Sequence, residues 1–285
     1  MLIDVRHLFH SYTRDDRYAV QDLTFHVERG EIFGFLGPSG AGKSTTQNIL
    51  TGLLSLQRGQ VTVLGHDLRT TGRQLYERIG VSFERANHYR RLSGLENLQF
   101  FASLYSVPTE DPMKLLRMVG LEDAGRRQAG AYSKGMYHRL NFARSMLNRP
   151  ELWFLDEPTS GLDPTTSARI KEIIVGRRKE GATVFLTTHN MYTAEELCDR
   201  VAFIDEGRIV ALDTPRALKL RFGQRLVRVE YRADGSSAVE TLALDDPADQ
   251  ARLQALVSEA RVETMHTQEA TLEQIFMELT GKELA

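Results

Sequence analysis

A glycine-rich loop between an apolar run and a helical segment limits the possible folds of this chain more than any other feature of its sequence. The loop fits the pattern Gly-x-x-x-x-Gly-Lys-Ser/Thr. Its residues are Gly37, Pro38, Ser39, Gly40, Ala41, Gly42, Lys43 and Ser44. The largely apolar run 31–36 before it predicts a buried strand, and residues 43–53 predict a helix. A strand, a tight loop and a helix in this order are typical of α/β folds that hold phosphate groups.

The residue types of this loop suit a nucleoside triphosphate. Glycines let the backbone turn tightly, so that successive N–H groups point inward at phosphate oxygens. The following helix presents the positive end of its dipole to the same place. We expect Lys43 to place its charge on the β- and γ-phosphates, and the Ser44 hydroxyl to bind Mg²⁺, which prefers oxygen ligands. The loop alone predicts this ligand class and leaves the reaction open.

Two further apolar runs end in polar residues. The run 152–155 ends at Asp156 and Glu157, and the run 183–186 leads to His189. Ligands bind at the carboxyl ends of the strands in open α/β sheets. We therefore expect Asp156 to hold Mg²⁺, directly or through water, and Glu157 to polarise an attacking water. His189 is a candidate donor of a hydrogen bond to the γ-phosphate.

The order of patterns along the 285 residues predicts one large α/β domain with a small appendage. A β-rich N-terminal edge is followed by strands that alternate with helices, which predicts a mostly parallel sheet covered on both faces. Residues 86–147 are helical in pattern and form an insertion into this core. The pattern of strand-like and helix-like segments changes after residue 215. We therefore predict a main domain over 1–215 and a small α+β domain over 216–285.

Composition gives no support for a nucleic-acid partner, an intrachain disulfide or a membrane-spanning segment. Lys and Arg number 36 and Asp and Glu 38, so the net charge gives no argument for a nucleic-acid partner. The single cysteine, Cys198, cannot form an intrachain disulfide. No signal-peptide pattern is evident, and no apolar run approaches the roughly 20 residues that span a bilayer. We therefore expect any membrane role to depend on another polypeptide.

A short segment between the glycine-rich loop and Asp156 gives a more specific signal. Its residues are Tyr132, Ser133, Lys134, Gly135 and Met136. In this position it resembles the signature loop of the nucleotide-binding subunits of ABC transporters, with Lys134 where Gly is commoner and Met136 where Gln is commoner. This variant is familiar among bacterial exporters of the ABC-2 class. Ser133 can cap a helix, and Gly135 allows close approach of a backbone to an anion.

Other elements of the same family match single positions. The segment 160–163, Ser-Gly-Leu-Asp, resembles the D-loop, which in the family contacts the opposite subunit and ends here at Asp163. His189 resembles the switch histidine. Tyr12 resembles the aromatic residue that stacks on adenine. Tyr18 is an alternative because residues 14–17 lengthen this loop, and a tyrosine without a nucleotide role also stays open.

The resemblance implies a fold, a mechanism and partners. It implies a P-loop NTPase core of the RecA type with a helical subdomain. It implies two ATPase subunits, as a homodimer or a heterodimer, that sandwich two ATP molecules with Mg²⁺ and work on integral membrane permease subunits at the cytoplasmic face of the membrane. It implies nucleotide contacts along residues 37–45, including Thr45, and closure of the partner's site by Ser133 and Gly135. Hydrolysis would power export of a substrate that the sequence does not identify.

One position departs from the family pattern. The family usually has Gln after the strand predicted at 79–83, whereas this chain has Glu84. A carboxylate can bind Mg²⁺ but cannot donate a hydrogen bond when ionised. We expect Glu84 to contact the metal together with Ser44 and Asp156. The tail segment 270–281 also resembles the C-terminal end of ABC-2 exporter ATPases, which favours an exporter over an importer.

Two other classes of function compete with this interpretation. The first is an ABC ATPase that acts on ribosomes or DNA, but the single cassette, the balanced charge and the lack of a heptad run disfavour it. The second is a P-loop kinase for small molecules, in which the signature-like segment 132–136 would have no purpose. The basic residues of the tail predict solvated faces, with contact to anionic lipid or a partner as the alternative. They are Arg216, Lys219, Arg221, Arg225 and Arg228.

Overall fold

The structure, a computed structural model, divides into two compact units, Met1–Asp213 and Thr214–Glu283. The sequence-based boundary lies two residues later, after residue 215. The residues that the structure describes are 1–13, 17–84, 87–223, 225–233, 236–259 and 261–282. The predicted start of the helical subdomain at residue 86 and the predicted end of the C-terminal domain at 283–285 lie outside these residues.

The helices and strands are as follows. The strands of the first unit are β1 (Ile3–His10), β2 (Val20–Val27), β3 (Ile32–Leu36), β4 (Arg58–Val63), β5 (His66–Asp67), β6 (Ile79–Ser82), β7 (Leu152–Asp156), β8 (Thr183–Thr188), β9 (Arg200–Asp205) and β10 (Arg208–Asp213). Its α-helices are α1 (Lys43–Leu50), α2 (Gln74–Arg78), α3 (Gly94–Ala102), α4 (Pro112–Met118), α5 (Lys134–Arg144), α6 (Pro164–Lys179) and α7 (Met191–Leu197). The second unit contains α8 (Pro215–Phe222), β11 (Leu226–Ala233), β12 (Ser236–Ala243), α9 (Pro247–Ser258), β13 (Val262–Gln268) and α10 (Leu272–Thr280).

A six-stranded sheet forms the centre of the first unit, in the order β10-β9-β3-β8-β7-β6. Strands β9, β3, β8, β7 and β6 run parallel, and β10 is antiparallel to β9. Every residue of β3, β7 and β8 is buried. Burial on both faces explains why these strands are continuous apolar runs in the sequence. The prediction of a mostly parallel α/β core is confirmed.

A second sheet of four antiparallel strands, in the order β2-β1-β4-β5, forms the predicted β-rich edge. Its strands β1 and β2 alternate between buried and more exposed side chains, as strands with one face on a core do. Phe25 of β2 stacks on Phe33 of the central sheet with ring centroids 5.7 Å apart. The two sheets therefore share one apolar core.

Helices α3 to α5 form the helical insertion between β6 and β7. The sequence predicts two of their starts, because Ser93 followed by Glu96 fits a capping box and Asp111 followed by Pro112 fits a helix start. The Ser93 hydroxyl accepts a hydrogen bond from the Glu96 backbone at 3.2 Å, and the Glu96 carboxylate accepts one from the Ser93 backbone at 2.7 Å. This is the predicted capping box. Helix α4 begins at Pro112 with Asp111 as its cap, also as predicted.

The second unit is a three-stranded antiparallel sheet, β12-β11-β13, with helices. Val227, Val229 and Tyr231 of β11 pack with Leu256 of α9 in a small core. Strands β11 and β12 match the alternating patterns of the sequence at 226–231 and 239–242, and helices α9 and α10 match the helical patterns at about 247–259 and 272–279. Strand β13 was not predicted from the sequence, because its polar residues lack an apolar alternation. The α+β character of this unit agrees with the prediction.

The structure corrects one predicted helix start in the first unit. The pattern predicts a helix from residue 168, whereas α6 begins at Pro164. The Asp163 carboxylate caps this helix, and proline is tolerated in a first turn. Across the described ranges, no helix has the length and apolarity that crossing a membrane requires.

Candidate nucleotide-binding and catalytic site

The predicted site residues meet at the carboxyl edge of the central sheet because their three strands are neighbours. Strand β3 lies beside β8, and β8 lies beside β7. The register places Leu36 beside Thr188 and Asp156 beside Thr187. The loop after β3, the acids after β7 and the histidine after β8 therefore share one edge, as sequence reasoning predicted.

The glycine-rich loop has a backbone that only glycine fits at two positions. A Cβ on Gly37 would lie 2.1 Å from the Ile204 carbonyl oxygen, which is far inside contact distance. Gly42 has a φ of 108°, in the region that favours glycine, and its Cβ would lie 2.6 Å from the Ala19 oxygen. Gly42 directly precedes α1. The loop is thus held close to β9 and to the N-terminal segment, with its amides at a helix start.

Lys43 folds over this loop. Its Nζ donates hydrogen bonds to the carbonyl oxygens of Gly37 at 2.6 Å and Pro38 at 2.9 Å. Burial lowers the pKa of Lys43, while the charges of Glu157, Asp156 and Glu84 act in the opposite direction. Carboxylates around a buried ammonium group favour its charged form. A cation held at the phosphate loop can bind a phosphate as a point charge.

Ser44 and Asp156 bring two oxygen ligands together. The Ser44 hydroxyl lies 3.5 Å from Asp156 Oδ2, and the Thr187 hydroxyl donates a hydrogen bond to Asp156 Oδ1. Burial raises the pKa of Asp156, and the charges of Glu157 and Glu84 raise it further, against the effects of Thr187 and Lys43. A divalent cation would relieve this crowding of negative charge. The donor set of hydroxyl and carboxylate oxygens suits Mg²⁺.

Glu157 is held by the end of β8. Its Oε2 accepts a hydrogen bond from the Thr188 hydroxyl at 2.9 Å. Its Oε1 accepts bonds from the His189 backbone at 2.9 Å and from the His189 ring Nδ1 at 2.7 Å. The φ of Glu157 is 48°, which is uncommon for a residue with a side chain. The side chain of this acid is therefore fixed by three hydrogen bonds at a strained turn.

Glu84 follows β6 at the same edge of the sheet, where the sequence predicted it. Its charge raises the pKa of both Lys43 and Asp156. Glu84 is itself exposed and lines a cavity of about 490 Å³. Its carboxylate therefore acts electrostatically on the site from the border of the helical insertion.

The two candidate tyrosines lie in different surroundings. The Tyr12 hydroxyl lies 3.1 Å from the hydroxyl of Thr45 in α1, and its ring is 64% exposed. The Tyr18 ring packs edge-on against Phe9 with centroids 5.6 Å apart. Residues 14–16 of the loop between them lie outside the described residues. The geometry favours Tyr12 over Tyr18 as a platform beside the phosphate loop.

The signature-like segment lines a cavity whose described walls contain no residue of the phosphate loop. The Ser133 hydroxyl accepts a hydrogen bond from the Met136 backbone at 3.2 Å, so Ser133 caps α5 as predicted. Ser133 and Gly135 line the cavity of about 490 Å³ together with Gly161 and Leu162. A Cβ on Gly135 would meet only Leu162, at an ordinary 3.7 Å. Packing within the described chain therefore does not require glycine at 135.

Asp163 and two threonines complete the arrangement. Asp163 accepts bonds from the Thr166 backbone at 3.0 Å and hydroxyl at 2.6 Å, so its carboxylate is engaged as a helix cap. These bonds lower the pKa of Asp163.

Sequence reasoning assigned no role to Thr187 and Thr188, whose hydroxyls bond to Asp156 and Glu157 respectively. Hydroxyl residues at the end of an otherwise apolar strand, directly before His189, were the signal that could have revealed them.

The fold and the edge site together are those of a P-loop nucleoside triphosphatase. Comparison with known families narrows this class. A model of the ABC transporter family matches residues 20–160, and a model of the fluoroquinolone efflux ABC transporter C-terminal domain matches residues 225–269. The second match falls within the smaller unit.

Individual relatives cover nearly the whole chain. The fluoroquinolones export ATP-binding protein of Mycobacterium tuberculosis is 54% identical over 285 residues, which cover 99% of this chain and 94% of that protein. The daunorubicin/doxorubicin resistance ATP-binding protein DrrA of Streptomyces peucetius is 33% identical, over 92% of this chain and 88% of that protein. A solved ATP-binding subunit of an ABC transporter is 30% identical with a TM-score of 0.71, over 78% of this chain and 93% of that one. The chain belongs to the ATP-binding subunits of ABC transporters, and it is an ATPase.

Proposed function

We propose that this chain is the motor subunit of an ABC-2-type exporter and works at the cytoplasmic face of the membrane on separate integral permease subunits. Relatives that are named export or drug-resistance ATP-binding proteins support the direction of transport. The match of the smaller unit to an efflux-transporter C-terminal domain supports it as well. Affinity purification of the tagged protein tests this association. Co-purification of an integral membrane permease subunit would support the proposal, and its absence would contradict it.

The separation of two half-sites within one chain carries the proposed mechanism. Lys43 and Ser44 lie at the phosphate loop, whereas Ser133 and Gly135 line a cavity whose described walls include no residue of that loop. The room beside Gly135 supports a role toward a molecule outside the chain. In the proposed mechanism, two ATPase subunits pair head to tail, and each signature segment closes on the γ-phosphate held by the other subunit. The partner is a second copy or a homologous subunit.

The proposed chemistry assigns one task to each group. The loop amides and Lys43 bind the phosphates of ATP. Ser44 and Asp156 would hold Mg²⁺, which would supply positive charge against the charge that develops on the phosphate oxygens. Glu157 orients and deprotonates the attacking water from its fixed position. His189, bonded to Glu157, senses the γ-phosphate.

The proposed nucleotide site is completed by Tyr12, its neighbour Thr45 and Asp163. Tyr12 stacks on adenine, with its hydroxyl anchored near Thr45. Asp163 positions the D-loop by capping α6.

Glu84 has a separate proposed role as a ligand or neighbour of the metal. Its effect on the pKa of Asp156 supports a position close to the cation. The Mg²⁺ concentration for half-maximal ATPase activity should therefore rise in a Glu84→Ala variant. Equal Mg²⁺ dependence in the variant and the parent would remove this assignment.

A groove beside the helical insertion is the proposed contact of the permease. It has a volume of about 200 Å³ and is lined by Leu53, Tyr76, Phe101 and Arg144, among others. Leu53 is 57% exposed and Tyr76 46% exposed. Exposed apolar and aromatic side chains around the half-buried guanidinium of Arg144 suit a short amphipathic helix. In this proposal, the groove and the adjoining Glu84 segment transmit the closure and reopening of the ATPase pair to the permease.

ATP-dependent pairing of a Glu157→Gln variant tests the mechanism. If Glu157 is the base, the variant binds ATP without hydrolysing it and accumulates as a dimer on size exclusion with Mg-ATP. Adding Ser133→Arg to this background should abolish the dimer but keep ATP binding. A variant that hydrolyses ATP at the parental rate would remove Glu157 from its role. A dimer that survives Ser133→Arg would contradict the head-to-tail arrangement.

The proposed substrate class is fluoroquinolone drugs, on the strength of the relative that is 54% identical. Host cells that express the chain with its permease subunits should become more resistant to fluoroquinolones. The same cells with Lys43→Ala should lose the added resistance, because the phosphates lose their cation. Resistance to anthracyclines alone would favour the second candidate substrate, which the DrrA relative suggests.

A further inference from the structure

Strand β13 leaves one edge of the sheet in the smaller unit unprotected. It pairs with β11 on one side and forms the end of the sheet among the described residues. Six of its seven residues are exposed. Its sequence, Val-Glu-Thr-Met-His-Thr-Gln, contains neither proline nor lysine, which commonly block sheet edges. An exposed strand edge of this kind is a template for another strand.

The strand at the opposite edge of the same sheet, β12, carries contacts from a helix. Helix α9 packs against β12, and the Asp249 carboxylate accepts a hydrogen bond from the Ala243 backbone at 2.7 Å. Arg252 of the same helix donates to Glu240 of β12 at 2.8 Å. The two edge strands therefore differ in burial: four of the eight residues of β12 are exposed, against six of the seven residues of β13.

The side chains of β13 also leave an apolar position uncovered. Met265 lies opposite Val229 in the register, and opposed residues share one face of a sheet. Val229 is fully buried, whereas Met265 is 53% exposed. The apolar face that α9 covers over β11 and β12 thus extends to Met265 without a partner from the described chain.

The sequence of β13 is complementary to itself. Met265 is its central residue, so two antiparallel copies centred there align over all seven residues. This register opposes Met265 to its own copy, Thr264 to His266 and Glu263 to Thr267. The single carboxylate of the strand then faces a hydroxyl. Glu263 already accepts a hydrogen bond from Arg232 at 2.7 Å across its own sheet. Centring on His266 would instead oppose Glu263 to Glu269, and like charges directly opposite are unfavourable.

We propose that β13 pairs antiparallel with β13 of a second copy of this chain, centred on Met265, and joins two three-stranded sheets into one. A two-fold axis through the central pair generates both halves, as in most homodimers. The contact supplies main-chain hydrogen bonds along the edge and covers the two methionines. It requires no nucleotide and is therefore independent of the proposed ATP-driven pairing. It also makes two identical copies the preferred arrangement.

Sedimentation equilibrium of the full chain without nucleotide tests this contact. We expect a concentration-dependent equilibrium between monomer and dimer. Met265→Lys places two ammonium groups opposite each other and should raise the dimer Kd by at least about tenfold. Val239→Lys is the matched control, because Val239 is 52% exposed on the other edge strand, β12. The control should leave the Kd unchanged.

Cross-linking tests the register. Opposed residues of antiparallel strands have Cα atoms about 4.5–5.5 Å apart, which is within the range of a disulfide. Mild oxidation of a Met265→Cys variant should therefore give a covalent dimer. Gln268→Cys should not, because this residue faces Val262 of the other copy. The native Cys198 is buried, and burial raises the pKa of its thiol, so it contributes little background.

Three results would overturn the proposal. The first is a monomer at every accessible concentration together with no cross-link at Met265→Cys. The second is equal weakening by Met265→Lys and Val239→Lys. The third is protection of β13 from hydrogen exchange only when permease subunits are present, which would assign the edge to another polypeptide. Loss of ATP-dependent pairing in Lys43→Ala with retention of the cross-link would separate this contact from the ATP mechanism.

Discussion

The Glu157 carboxylate accepts two hydrogen bonds from His189, one from the backbone N–H at 2.9 Å and one from ring Nδ1 at 2.7 Å. The ionised acid requires a proton on Nδ1. In the neutral ring, Nε2 is then an acceptor, and it donates only when the ring is protonated. The expected donation from His189 to the γ-phosphate therefore requires the imidazolium in this arrangement. One residue pair thus couples the proposed base to the proposed phosphate sensor.

Loss of this ring should affect hydrolysis more than binding. We predict that His189→Ala lowers kcat by about 10²-fold or more, since it removes a preorganised donor and the partner that orients Glu157. ATP affinity should change much less, because the phosphate loop is intact. Steady-state ATPase kinetics and equilibrium ATP binding measure the two effects. His66→Ala, at an exposed histidine of β5, should behave like the parent. An unchanged kcat in His189→Ala would contradict the prediction.

Thr187 should control the affinity for Mg²⁺ by orienting Asp156. Removing its hydroxyl with Thr187→Val leaves Asp156 Oδ1 without this donor. We expect the Mg²⁺ concentration for half-maximal activity to rise by about tenfold, as for other partners of metal ligands. Thr183→Val is the control in the same buried strand, since the Thr183 hydroxyl accepts from Gly30 at 2.8 Å instead. Equal Mg²⁺ titrations for both variants would show that Thr187 does not act through the metal.

Removing the charge of Glu84 should shift the pH dependence of ATP hydrolysis. Glu84 raises the pKa of Asp156, so Glu84→Gln should lower that pKa. Asp156 then stays ionised to lower pH, and the acid limb of the kcat/KM profile moves to lower pH. Asp123→Asn removes an exposed acid on the helical insertion and should leave the profile in place. A shift to higher pH, or no shift, would be inconsistent with the electrostatic effect.

His88 should make the fold sensitive to acid. Burial, together with the charge of Arg144, lowers the pKa of His88 from 6.5 to about 3, and its ring packs edge-on against Tyr137. His88 binds a proton below about pH 6.5 in the unfolded chain, but only below about pH 3 in the folded chain. Stability is therefore lost as the pH falls through this window, by up to about 1 kcal/mol per pH unit.

Replacing this ring by an aromatic residue without a titrating group isolates the effect. In His88→Phe, the free energy of unfolding should fall less between neutral and acidic pH than in the parent. Urea unfolding at a series of pH values measures it. His66→Phe, at an exposed histidine, should keep the parental slope. Parallel curves for His88→Phe and the parent would rule out this source of acid sensitivity.

The sequence by itself determined the core fold and most of the site. Continuous apolar runs at 32–36, 152–155 and 183–186 can be satisfied only by burial on both faces, so they predict central parallel strands. The polar residues that follow such strands must then lie at one edge. The caps at Ser93 and Asp111 depend only on local hydrogen bonds, and they are also found where the sequence placed them.

The tertiary structure alone decided what depends on neighbours that are distant in sequence. It assigned Thr187 to Asp156 and Thr188 to Glu157, because the register of two strands brings these side chains together. It placed the Tyr12 hydroxyl 3.1 Å from the Thr45 hydroxyl of α1 and packed the Tyr18 ring against Phe9. Strand β13 emerged because a polar edge strand is held by backbone pairing with β11 and carries no periodic apolar pattern. Burial and helix caps follow from local sequence. The pairing of strands, and of side chains between strands, depends on residues that are distant in sequence and is defined only in the folded chain.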